Sequence, residues 1–335
     1  MAIFSYNEGA LAVEIAPKLE DINGISLMPL LSRTLKLSKS STSINWNADL
    51  GGQAATGELV TAAGTTDSTA GAIVPAALAI GISRFRHTFS VSTIKLAEAA
   101  AIGEGEVANQ LALAGKNAMR IITRSLAANI YTGTGNAASG GVVGLGALHS
   151  TVASAKSTSV YAGIDPDDHA NWSNYVNTAG TNRALTTELM FKMSEEILGG
   201  ATVGSNQNYT AIYTTPAICT KYKSLFAASS DLNSQPNGLA DVGYSGLSFE
   251  GRPIYLDPYA PANTLYFVDD AALALYSYVE NENAYGDEQP MDGIVFKIVQ
   301  MSRTNPDAVQ FAVVAKNQFT VLNRPGVAVL SAIVQ

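Results

Sequence analysis

The chain has 335 residues, 47% hydrophobic and 14% charged, with 20 Lys and Arg against 28 Asp and Glu for a net charge of −8. That length suits two interleaved domains around a real core, and an acidic balance without runs of like charge excludes the basic stripe that neutralises nucleic-acid phosphates. Charge this sparse, against about 25% in ordinary soluble domains, would leave a monomer with large uncharged patches, so copies of the chain are expected to cover one another.

Residues 1–40 offer only short apolar clusters (Ile25, Leu27, Leu30, Leu31, Leu35, Leu37) with no sustained period and read as an N-terminal arm. Glu8, Glu14 and Glu20 in a start without a basic n-region argue against a secretory signal, so the glycosylation patterns at Asn171 and Asn208 read as chance. Residues 41–88, dense in Gly, Ala, Ser and Thr, read as a long excursion that must reach something beyond its own domain. The apolar run from Ala72 to Ile82 contains Pro75 and is too short to span a bilayer, so no membrane partner is expected.

Phe85, His87, Phe89 and Val91 alternate as in a strand that enters a helix capped by Ser92 or Thr93. The Gly103–Glu106 stretch GEGE divides a short helix at 94–102 from a long one at about 105–131. In the long helix Val107, Leu111, Ala114, Ala118, Ile121, Ile122 and Leu126 share one stripe. Lys116, Arg120 and Arg124 form a basic row on it, read as a solvated or inter-subunit strip rather than a phosphate site.

The stretch LAANIYTGTGNAASGGVVGLGALHS that follows has its helix before the glycines and no Gly-Lys-Ser/Thr, so it reads as a helix cap, loop and strand instead of a phosphate cradle. Asp165, Asp167, Asp168 and His169 form an acidic cluster whose metal-binding reading gives way to a turn with Asx bonding. A helix spans ALTTELMFKMSEEILGG, with Leu185, Leu189, Met193 or Lys192, Ile197 and Leu198 on one face, and stops at Gly199-Gly200. Then come a strand at Tyr209–Tyr213, a Pro-started helix, a hairpin about Glu250-Gly251, and a strand, turn and strand over NTLYFVDDAALALYSY. From Gly293 onward the pattern is strand-rich, and the single cysteine, Cys219, reads as a buried core thiol.

The succession resembles the major capsid proteins of tailed double-stranded DNA bacteriophages. It is carried by Phe89-Ser90-Val91-Ser92 into the helix at Ile94, the Gly103 break, the long helix ending NIYTG, and then GVVGLGALHS. YAGIDPDDHANW, LTTELMFKMSEEILGG, YTAIYTTPAICTKY, GLSFEGRPIYLDP and NTLYFVDDAALALY continue it, over about residues 85–335. The resemblance implies an α+β, HK97-like fold with an N-terminal arm (1–40), an extended loop (41–88), a peripheral domain (89–163 and 291–335) with a long spine helix, and an axial domain (164–290) with a central sheet flanked by helices. It further implies hexamers and pentamers in an icosahedral head that encloses DNA without reading its sequence, assembled in the host cytoplasm. Portal, scaffolding or decoration proteins would be the partners besides copies of the chain itself. Some members lock their shells through a lysine on the extended loop, but no lysine lies between Lys39 and Lys95 here, so that crosslink is not expected.

No catalytic, cofactor-binding or metal residue is assigned. An encapsulin-like compartment shares the fold and would hold an enzyme in place of a genome. An intracellular hydrolase would need a nucleophile and base, but GYSGL at 243–247 misses the Gly-x-Ser-x-Gly elbow and His87, His149 and His169 read as structural.

Overall fold

The computed structural model describes residues 28–49, 73–79, 84–102, 104–136, 141–148, 155–169, 171–199, 208–226, 247–279, 288–301 and 307–334. The chain enters through α1 (Pro29–Arg33) and β1 (Leu35–Lys39), after which β2 (Ser43–Asp49) and β3 (Ile73–Ala79) pair antiparallel as the stem of a hairpin. β4 (Phe85–Ser92) runs into α2 (Thr93–Ile102) and α3 (Glu104–Thr132). Next come β5 (Ala155–Lys156), β6 (Tyr175–Asn177), α4 (Thr187–Gly199), β7 (Ala211–Thr214) and α5 (Pro216–Phe226). The rest is strand: β8 (Ser248–Phe249), β9 (Arg252–Leu256), β10 (Leu265–Val268), β11 (Leu273–Tyr278), β12 (Glu288–Met291), β13 (Ile294–Gln300), β14 (Ala308–Ala315), β15 (Asn317–Val321) and β16 (Val327–Leu330).

A seven-stranded sheet in the order β5-β6-β16-β10-β7-β9-β8 divides the core. Its central strands are apolar throughout because both faces are covered. Alternate residues serve opposite sides: Tyr213, Tyr266, Val268, Val327 and Val329 pack with α1 and α3, while Ile212, Leu265, Phe267, Ala328 and Leu330 pack with α4 and α5. α3 also lies on a second sheet, β12-β13-β14-β4, where Phe89 and Phe311 sit opposite in register with rings 5.4 Å apart. A third sheet, β1-β11-β15, takes β1 in parallel at its edge.

The sequence reading places the boundaries of α2 and α3 within about a residue, while α4 begins at Thr187, three residues into the stretch read as helix, and α1 lies in the segment read as arm. Ala118, Ile122 and Leu126 are buried as the stripe requires, joined by Met119, Ile130 and Tyr131, whereas Ile121 is exposed; the side chains of Val107 and Leu111 lie outside those described. On α4 the buried residues are Met190, Met193, Ser194 and Ile197, so Leu198, expected on that face, points outward. The strand expected after the glycines gives way to an isolated bridge, Thr134 to Val143, and a 3-10 turn at Leu145–Leu148. Of the segment read as arm, residues 28–31 are built into the core, with Leu30 and Leu31 1% exposed, while β1 runs along a sheet edge with Leu35 and Leu37 exposed. The excursion likewise rests on its own subunit, since Ile44, Ala48 and Ala76 on its inner face are buried; residues 50–72 of it lie outside the described residues.

Candidate functional site

Two polar nodes fix the arm and the hairpin to the core. The first gathers at α1. Asp257, at the end of β9, is 1% exposed and accepts three hydrogen bonds: from Tyr131 Oη at 2.8 Å and the Leu30 amide at 3.4 Å on Oδ2, and from the Tyr259 amide at 2.9 Å on Oδ1. Leu30 lies in the first turn of α1, where amides have no partner within the helix, and Tyr131 lies in the last turn of α3. One carboxyl thus joins arm, spine and central sheet. Burial pushes it above the ordinary aspartate range, against the pull of its donors, and burial beside Asp257 pushes Tyr131 well up.

One turn along, Arg33 Nε donates to Asp270 Oδ2 at 2.7 Å and its Nη1 to Tyr255 Oη at 2.7 Å, with the guanidinium 4.6 Å from the Tyr255 ring centre. Tyr213 stacks on Tyr255 with centroids 5.5 Å apart and donates to Asp270 Oδ1 at 2.6 Å. Arg33 is 41% exposed, so this ion pair orients the arm more than it stabilises it.

The second node carries the hairpin. The outward amide of Ala77 on β3 donates to the Ala162 carbonyl at 3.0 Å. Ala162 (φ 55°) and Gly163 (φ 80°) form the two-residue turn closed by Tyr161 and Ile164. A non-glycine residue in the left-handed region is held there only by its surroundings. Trp172 Nε1 donates to the Tyr161 carbonyl at 3.2 Å, and the Tyr161 hydroxyl accepts from the Val321 amide at 2.8 Å. Beneath lies Arg324, fully buried, which donates to Ser159 O at 2.7 Å, Ser157 Oγ at 3.1 Å and Asn174 Oδ1 at 3.1 Å. It has no ion-pair partner among the described residues, and burial pulls its guanidinium down to about 10.

The Gly-rich stretch works by close approach. A Cβ on Gly144 would lie 2.3 Å from the Ile130 carbonyl, and one on Gly133 would lie 2.5 Å from the carbonyls of Asn129 and Val142. The stretch therefore folds back on the end of α3, and its glycines are spacers.

Other sequence candidates fall apart in space. Asp165 Oδ1 accepts from the Asp167 amide at 2.9 Å, the expected Asx turn, and no group of metal-ligating side chains occurs among the described residues. His149 and residues 243–246 of GYSGL lie outside the described residues. Ser194 donates to Glu250 and accepts from Tyr209 Oη at 3.3 Å, with Arg252 above the Tyr209 ring at 4.1 Å. That cluster of Ser194, Tyr209, Glu250 and Arg252 holds no histidine and ties the β8-β9 turn to α4, a bracing role. Cys219 is buried, and its thiol is pushed up to about 11 by burial. No helix among the described residues is long and apolar enough to cross a membrane. Sequence reasoning missed Asp257, Asp270 and Arg324; their only signal is a charged residue closing an apolar strand or turn, as in IYLDP, FVDD and VLNRPG.

A family model described as SU10 major capsid protein matches residues 21–332. Among solved structures, the capsid of cyanophage A-1(L) is similar at 22% identity and TM-score 0.71, with 92% of this chain and 93% of that chain covered. The capsid of a native GTA particle is similar at 12% identity and TM-score 0.59, covering 92% and 91%. The SrpI encapsulin of Synechococcus elongatus PCC 7942 follows at 10% identity and TM-score 0.54, covering 89% and 85%. No curated protein matches.

Proposed function

The chain belongs to the SU10 major capsid protein family, and on that premise we propose how its parts build a phage head. It is a structural shell protein with an HK97-like fold, its place is the virion, and it assembles with copies of itself. In our reading the copies form hexamers and pentamers of an icosahedral shell around double-stranded DNA, which the acidic chain encloses without gripping. We assign residues 89–163 with 291–335 to the peripheral domain and 164–290 to the axial domain, with β16 crossing from the first to complete the sheet of the second between β6 and β10, and the hairpin reaches over a neighbour. Portal, scaffolding and decoration proteins complete the assembly, and we assign the chain no catalysis.

The observation that carries this reading is the pinned stem. β2 and β3 pair over seven positions each, and the Ala77 to Ala162 bond ties the stem to the core. Deleting the stem would strip Ile44, Ala48 and Ala76 from the core, so the cleaner variant replaces only 50–72 by Asn-Gly. Electron micrographs of the expressed wild type should show closed particles. The variant should keep the wild-type melting temperature yet yield open fragments or free capsomers; closed particles from it would overturn the role given to the loop. The encapsulin likeness supplies a second reading, which a particle carrying an enzyme and no DNA would favour.

A further inference from the structure

α4 and α5 lie on the same face of the seven-stranded sheet, α4 over β6 and β16 and α5 over β9, with β10 and β7 between those strands. Each turns a face outward. On α4, Phe191 and Leu198 flank the buried face of Met190, Met193 and Ile197, and Glu188 and Glu195 stand farther round; the four are spaced three, four and three apart. Leu198 is 42% exposed and Phe191 53%, although one side of the Phe191 ring leans on the buried Phe249 at 5.2 Å; both stand beside two carboxylates. On α5 the outward face is Ala217, Thr220, Lys221 and Ser224, small residues around one lysine, with Lys223 exposed beside them. Glu188, Glu195 and Lys221 have no ion-pair partner among the described residues.

The two faces are complementary in shape and charge. Leu198 and the exposed side of Phe191 are knobs, Ala217, Thr220 and Ser224 leave room for them, and the lysine stem can lie along the apolar surface while its ammonium meets the carboxylates. They cannot meet within one subunit, because both helices are seated on the same sheet with their complementary faces pointing away from it. We infer that α4 of one subunit docks on α5 of the next copy, head to tail. Such a contact joins two different patches, so it propagates around a ring instead of closing a two-fold pair, as a capsomer requires. The inference rests on the shell reading.

Charge reversal tests it. Glu195→Lys and Lys221→Glu lie on exposed faces and should leave the urea midpoint unchanged, while each reduces the yield of capsomers by about tenfold or more at low salt. A preparation carrying both reversals in every copy restores the opposed pair and should recover wild-type yield. Wild type that makes no particles, alone or with its scaffolding partners, would refute the shell reading itself. Wild-type particles with single reversals that assemble normally would overturn only this contact. So would loss of assembly in the Glu195 variant without rescue by the double reversal, which would point to a different protein on α4.

Discussion

At the scale of single residues, the two buried charges behave differently. Asp257 titrates above the ordinary aspartate range because burial outweighs its three donors. A carboxyl whose folded value exceeds its unfolded one is better protonated when folded, so the fold loses stability as pH climbs through that interval and holds level above it. The urea midpoint of the wild type minus that of Asp257→Asn should fall with rising pH across this interval and then stay flat. A difference that rises instead would mean that the donors govern the carboxyl. Arg324 holds its charge under one condition, that all three acceptors stay in place. Arg324→Met keeps bulk but leaves Ser157 Oγ, Ser159 O and Asn174 Oδ1 without their donor, and should cost about 3 kcal/mol in chemical unfolding. A loss under about 1 kcal/mol would show that water enters the node and replaces the guanidinium.

Among the elements, glycine substitutions separate spacing from flexibility. Gly144→Ala forces a methyl into the backbone of Asn129 and Ile130 and should destabilise by about 3 kcal/mol or prevent folding. Gly180→Ala, with nothing within 4 Å of its Cβ, should be neutral or slightly stabilising. Thermal melts of the pair would check this, and equal melting temperatures would refute the close-approach role. The helices were legible beforehand because their signals are local: Thr93 before Ile94, the Gly103 break, and Pro216 opening α5 announce themselves within a few positions. What stayed hidden depends on distant partners. Leu35 and Leu37 show no helical or convincing strand period, since β1 becomes a strand only by lying against β11, more than 230 positions away. Likewise the local VLNRPG pattern does not by itself say that Arg324 is buried, because its acceptors lie on residues 157–174. The hairpin stem was obscured by Pro75 and a run of alanines, residues that pair here as an edge strand.

On the scale of the whole molecule, the arm-side and helix-side cores are two faces of one sheet. Both use β7, β10 and β16, so neither can melt alone. Trp172 reports the first face and Cys219 the second; the thiol, pushed up to about 11 and buried, is unreactive until its shelter opens. Tryptophan fluorescence and thiol labelling should therefore give coincident unfolding midpoints in denaturant. Separate midpoints would show that the two faces of the sheet unfold independently.

The seating of β16 between β6 and β10 also bears on timing. A ribosome delivers the chain from its start, so residues 28–322 emerge while the middle of the main sheet still has a vacant slot. The α4 and α5 surfaces are not set at their final positions until Val327–Leu330 slide in. A head-to-tail contact through α4 and α5 therefore depends on a strand that neither helix carries.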